Sequence, residues 1–432
     1  MRTLAPIPVA RVDSAPARPR RSSLLGDLLV STPPPPPPAP PTEPPSRPVG
    51  GARRWPLGYV QRGQRDPRFD LLRGFCLLVM VVNGLGGNSW LNTLTGSGRF
   101  YISAAEGFVF IAGYVLGLNA ACDVLAVTVR LLVRRAWTLY RLTVGITLVA
   151  SLLAASGRLR LWYPLPDAIA TVYAGRPDAF LLGTLTLAVA YHGGEVLVLF
   201  LLLLLAAPLA LLACAEGKGW LVPLVSVGIY LTAQLYSDQF RWPFATYFSP
   251  PAWQLLFFVG LAIGYHRRWL GEQIARRRPL AWAYATLVVA AALGLLVLYV
   301  QGHPPRLLLD RENVEAARVA LTPRRLLPVA IYLQFFAFLA TWFWLPLRAA
   351  FGWFILSLGR DSLWIFTLHL PLIVLFRNVP ALDTADRTVG TLAQIVAIAL
   401  LWGSLRVREW ARGSAYRGAL PASRTFRRLA RR

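Results

Sequence analysis

One apolar run, VLVLFLLLLLAAPLALLA from Val196 to Ala213, constrains this sequence more than any other feature. As a helix rising about 1.5 Å per residue it covers most of roughly 30 Å of hydrocarbon. No globular surface accommodates such a stretch. In lipid the backbone must satisfy its own hydrogen bonds, and a run without alternation does so only as a helix.

Comparable runs recur from Phe69 onward, and the sequence reads as an all-α, polytopic integral membrane protein. Ten spans are expected, at 69–86, 101–121, 138–156, 195–214, 220–237, 251–266, 280–300, 328–346, 353–376 and 389–405. The stretch 178–191, ending before His192-Gly193-Gly194-Glu195, is short and reads as re-entrant or interfacial; an eleventh span is the competing reading.

The formal charge of +25 would suit a nucleic-acid binder, but 56% of the chain is hydrophobic and only 15% charged, so no nucleic-acid partner is expected. Lys218 is the single lysine. The arginines fall where orientation is set: the N-tail, Arg130/Arg134/Arg135, Arg267/Arg268 with Arg276–Arg278, Arg348, and the C-tail from Arg406 share one side if there are ten spans. Both termini are then cytoplasmic, beside anionic lipid. Arg306, Arg311, Arg318, Arg324 and Arg325 strain that rule by falling outside, where ENVEAARVAL is expected to lie as a surface amphipathic helix.

Three regions follow. Residues 1–66 contain six consecutive prolines, Pro33–Pro38, and read as a disordered cytoplasmic tail; 67–405 form the membrane domain; 406–432 form a basic cytoplasmic tail. Leu24–Val30 is too short, and Asp27 interrupts it, for the core of a cleaved signal peptide, so the first span is expected to serve as an uncleaved one. Cys76, Cys122 and Cys214 read as small apolar residues, and the four histidines are scattered, so no metal site is expected.

Ionisable groups inside spans are costly and mark candidate sites. Asp70 and Arg73, three apart at the start of span 1, suit an interfacial ion pair as well as a substrate contact. Glu106 has no base at i±3 or i±4 and needs a partner from another helix. His369 would sit about 24 Å along span 9 from Trp353, at a depth similar to Glu106. The two could share an outward cavity, His369 as base and Glu106 as base or orienter, although hydrogen-bonded packing is the competing reading for each. Arg73, Arg134, Arg135 and Arg360 suit phosphate, and equally suit topology alone. GYVLG and GLAIG place Gly113/Gly117 and Gly260/Gly264 at the spacing of packed helices.

Several blocks in order, RDPRFDLLRGFCLLVMVV, GLGGN, AAEGFVFIAGY, RRAWTLY, PPAWQLLFFVGLAIG and LGRDSLWIFTLHL, resemble the OpgC family over about 69–405. The resemblance implies a ten-span bacterial inner-membrane protein implicated in succinylating periplasmic glucans, related to membrane O-acyltransferases. It implies acyl-CoA as co-substrate rather than a bound cofactor, and an envelope glycan as acceptor. It also implies substrate or donor contacts at Asp70, Arg73, Asn83, Asn88, Arg134, Arg135, Trp253, Gln254 and Arg360. In such acyltransferases an Arg early in span 1 precedes, with ten residues between, the catalytic His of an Asp-His pair. Counted from Arg73, that pair is Asn83-Gly84 here. Either the base is relocated to Glu106 or His369, or the chain is a non-catalytic partner in glycan biosynthesis or export. A transporter is a third reading, which the lack of an internal repeat disfavours.

Overall fold

A computed structural model describes residue 59 and residues 66–95, 102–122, 124–155, 176–191, 194–236, 248–301, 314–379 and 384–419. The chain divides into two units, Met1–Arg53 and Arg54–Arg432, and everything described belongs to the second. The tail 1–66 except Tyr59 and Asp66, together with His192, His303 and residues 420–432, lies outside the described residues.

Every regular element among the described residues is an α-helix. In order they are α1 Pro67–Leu85, α2 Trp90–Thr95, α3 Ala104–Ala120, α4 Leu125–Ala155, α5 Pro177–Leu185, α6 Glu195–Ala215, α7 Leu221–Leu235 and α8 Pro250–Tyr265. Then follow α9 Arg267–Arg276, α10 Arg278–Val300, α11 Val314–Ala320, α12 Pro323–Trp342, α13 Trp344–Arg360, α14 Ser362–Arg377 and α15 Arg387–Ala419. Local chemistry sets their starts. Asp66 caps α1, its Oδ1 accepting from the Arg68 N–H at 3.1 Å, and Pro67 takes the first position, where no N–H is needed. Proline likewise opens α5, α8 and α12.

Four helices, α6, α10, α12 and α15, are long and apolar enough to cross a membrane; α13 and α14 count as a fifth span if taken together. Three further apolar helices, α3, α7 and α8, are shorter, at 17, 15 and 16 residues. The nine residues of α5, followed by a turn in which Leu187 has φ 60°, fall well short of a crossing.

Two expected spans are cut differently. The stretches 328–346 and 353–376 become three helices, with breaks at Phe343 and Asp361, and α13 and α14 meet at 88°. The straight-helix reckoning of 24 Å from Trp353 to His369 therefore fails, because the axis turns between them.

One face of the most apolar run lies inside. Leu199, Leu203 and Leu211 of α6 pack with Val109 of α3 and Trp253, Phe257 and Leu261 of α8. Leu197, Val198 and Leu201 pack instead with Leu77 of α1, Ile365 and Ile373 of α14, and Ala397 and Leu401 of α15. One helix thus joins two apolar cores. Its other face is exposed at Leu205, Leu209 and Leu212, as are Leu224, Leu231 and Leu235 on α7 and Leu287, Leu293 and Val300 on α10.

Helix α3 packs most intimately on α8, through the four glycines at GxxxG spacing. A Cβ on Gly113 would fall 2.0 Å from the Phe257 carbonyl oxygen, and one on Gly260 would fall 2.5 Å from that of Phe110. Neither helix could approach so closely with any larger residue. A similar crossing joins α1 to α13, where Gly359 lies against the carbonyl of Asp70 and Gly74 against that of Ile355.

One set of buried polar groups is tied off in a network around Gln394. Gln394 of α15 accepts from Ser89 Oγ at 2.7 Å and donates through Nε2 toward Val82 O, Gly86 O and Asn92 Oδ1 at 3.2–3.3 Å. Asn92 in turn donates to Gly87 O at 2.7 Å. This knot pins the end of α1 and the start of α2 to α15.

Candidate functional site

Glu106 occupies the third position of α3, where a carboxylate meets unpaired N–H groups and the positive end of the helix. Its Oε2 accepts from the backbone N–H of Ser103 at 2.6 Å. Its Oε1 accepts from Nε of Arg325, in the first turn of α12. Both side chains are buried, Glu106 at 1% exposure and Arg325 at 7%. The partner that Glu106 needed from another helix is an arginine that orientation alone had placed in an external loop.

The sequence around α11 explains how Arg325 reaches that position. Three side chains hold the carbonyls of the turn before α12: Trp253 Nε1 donates to Val319 O at 3.1 Å, Gln234 Nε2 to Ala320 O at 2.9 Å, and Tyr230 Oη to Leu321 O at 2.8 Å. Leu321 itself takes a left-handed φ of 50° and is fully buried. The chain is thus fixed on α7 and α8 just before Thr322 and Pro323 start α12 toward α3. The end of the described part of ENVEAARVAL, α11 and Leu321, is tied to α7 and α8 by these bonds. Arg318 of α11 lies within electrostatic range of Glu106.

Trp253 and Gln254 therefore have clear partners. Trp253 is fully buried and spends its only donor on Val319. Gln254 accepts from Ser226 Oγ at 2.5 Å and donates to Ser226 O at 2.7 Å and Pro251 O at 3.2 Å, which ties α8 to α7.

His369 lies on α14, buried, with Nδ1 donating to the carbonyl of Phe366 on its own helix. That bond leaves the lone pair on Nε2. The Phe366 ring stacks at 6.4 Å on Phe108 of α3, two residues beyond Glu106. Aromatic rings thus link the part of α14 that carries His369 to α3. The structure pairs Glu106 with Arg325, however, and not with His369.

Asn83 lies on the last turns of α1 with a buried Oδ1 that has no hydrogen-bond partner, and Gly84 beside it is buried. Asn88 exposes its side chain, while its backbone N–H donates to Thr384 O at 2.8 Å. The α1–α13 crossing brings the backbone around Asp70 and Arg73 against Gly359, next to Arg360. Asp70 is buried, Arg73 half-buried and Arg360 exposed at the break before α14. Arg134 and Arg135 sit exposed on α4, which packs on α6.

Besides Arg325, a polar cluster at the same bend escapes sequence reading. Asp361 pairs with Arg408 of α15 at 2.9 Å, Arg408 stacks over Trp364 at 4.7 Å, and Trp364 Nε1 donates to Ser404 Oγ at 3.1 Å. The adjacent Arg360-Asp361 within an apolar stretch was the available signal.

The family model described as OpgC protein matches residues 65–413, from the cap of α1 to well into α15. No curated protein and no solved structure matches the chain. Glu106, Arg325, His369 and both glycine seams all fall within the matched residues, and a match across this whole helical body shows that the chain belongs to the OpgC family.

Proposed function

We propose that this protein is a membrane O-acyltransferase that moves a succinyl-type acyl group from cytoplasmic acyl-CoA to an extracytoplasmic glycan. In this reading it sits in the bacterial inner membrane with both termini cytoplasmic. Ten crossings then require α1, α3, α4, α7 and α8 to span alongside the four long apolar helices and the bent α13–α14 pair. The observation that carries the reading is the OpgC match over 65–413, which takes in every buried ionisable group described above.

Within it, Nε2 of His369 takes the proton of the acceptor hydroxyl as that oxygen attacks the thioester carbonyl, and returns it to the CoA sulfur as the C–S bond breaks and the thiol leaves. Glu106, held by Arg325, supplies fixed charge beside the reacting groups rather than a free base. Arg73 and Arg360, each next to a glycine of the α1–α13 crossing, hold donor phosphates, with Arg134 and Arg135 as further contacts. The ester content of the envelope glycans tests this directly. Deletion should remove the esters and the intact gene restore them; unchanged esters on deletion would end the enzyme reading.

A further inference from the structure

The starts of α3 and α12 meet at the Glu106–Arg325 pair. Two helix N-termini converge there, each carrying roughly half an elementary charge. Arg325 adds a full charge from the first turn of α12, and Arg318 lies within electrostatic range. The one carboxylate among these groups is Glu106. It takes Nε of Arg325 and the Ser103 N–H, which leaves Nη2 of Arg325 buried without a hydrogen-bond partner. Arg325 is 7% exposed, so bulk water does not satisfy that nitrogen. A buried guanidinium donor left unpaired is expensive, and a guanidinium fork is shaped to grip two oxygens at once.

We propose that this junction is a binding site for a small oxyanion, a carboxylate or phosphate group, which accepts from Nη2 of Arg325 at the two helix starts. Glu106 acts there as a built-in competitor: it neutralises Arg325 when the site is empty and limits how tightly the anion binds. The site is one of binding and does not depend on acyl transfer.

The test uses the full-length protein purified in detergent, with thermal unfolding followed against sodium succinate or sodium phosphate, ionic strength being held constant with chloride. A ligand that binds the native state raises Tm with its concentration. Wild type should respond, and Glu106→Gln should respond at about tenfold lower concentration, because its competitor is gone. The double variant Glu106→Gln/Arg325→Gln, which leaves neither charge unpaired, should fold and lose it. A stronger response to succinate identifies a carboxylate ligand, and one to phosphate a phosphate ligand. Equal responses in wild type and Glu106→Gln, no response to either salt, or a response surviving in the double variant would each overturn the proposal.

Discussion

Arg325, at the start of α12, holds Glu106, at the start of α3, across 219 residues of sequence. Removing one partner strands the other in a buried site, whereas removing both does not. Arg325→Met should lower stability by about 3–5 kcal/mol, and Glu106→Leu/Arg325→Met should recover most of that loss. Thermal unfolding of the purified variants measures both. A double variant no more stable than the single one would mean that the pair is not coupled.

Gly117 and Gly264 offer a sharper steric test. A Cβ on Gly117 would fall 2.0 Å from the Leu261 carbonyl oxygen, and one on Gly264 would fall 2.1 Å from that of Tyr114. Alanine at either should separate α3 from α8 and sharply reduce folded yield. Gly294 has open space around its Cα, and alanine there should leave stability unchanged or raise it by about 0.5–1 kcal/mol. Size-exclusion profiles in detergent distinguish the two outcomes.

Gln394 is the hub of the α1–α2–α15 knot. Gln394→Leu deprives Ser89 of its acceptor and Asn92 and two carbonyls of their donor. The cost should be about 1–3 kcal/mol, since each stranded group keeps its desolvation penalty. Gln394→Glu keeps the acceptor for Ser89 and removes only the donor, so its loss should be smaller unless the carboxylate ionises. Unfolding midpoints at two pH values check the pair.

If His369 takes the acceptor proton, His369→Asn should reduce glycan esters by about a hundredfold or more, the range for loss of a general base. Asparagine can still donate to the Phe366 carbonyl, so protein level should hold. Esters at the wild-type level in that variant would leave His369 a packing residue.

Much of this site is legible in the sequence, though unevenly. The spacing of Gly113, Gly117, Gly260 and Gly264 reports the seam directly, because only close backbones demand it. Glu106 announces a missing partner by having no base one turn away. The partner stays hidden because Arg318, Arg324 and Arg325 look alike in a stretch broken by Pro323, and only the Trp253, Tyr230 and Gln234 bonds select which one turns inward. The bend at Asp361 is equally hidden. Residues 353–376 read as one continuous apolar stretch, and the turn is held by tertiary contacts, Gly359 on α1 and Asp361 on Arg408.

The seam between α3 and α8 also orders events during synthesis. Its two halves are separated by the whole of α4 to α7, so Gly113 and Gly117 leave the ribosome long before Gly260 and Gly264 exist. Until then α3, only 17 residues long, has no partner for its glycine face. Because Glu106 heads that helix and Arg325 comes later still, the charged junction closes only after α4 to α11 have been made. Assembly of this protein is therefore late and cooperative, and a truncation anywhere before α12 leaves Glu106 without its counter-charge.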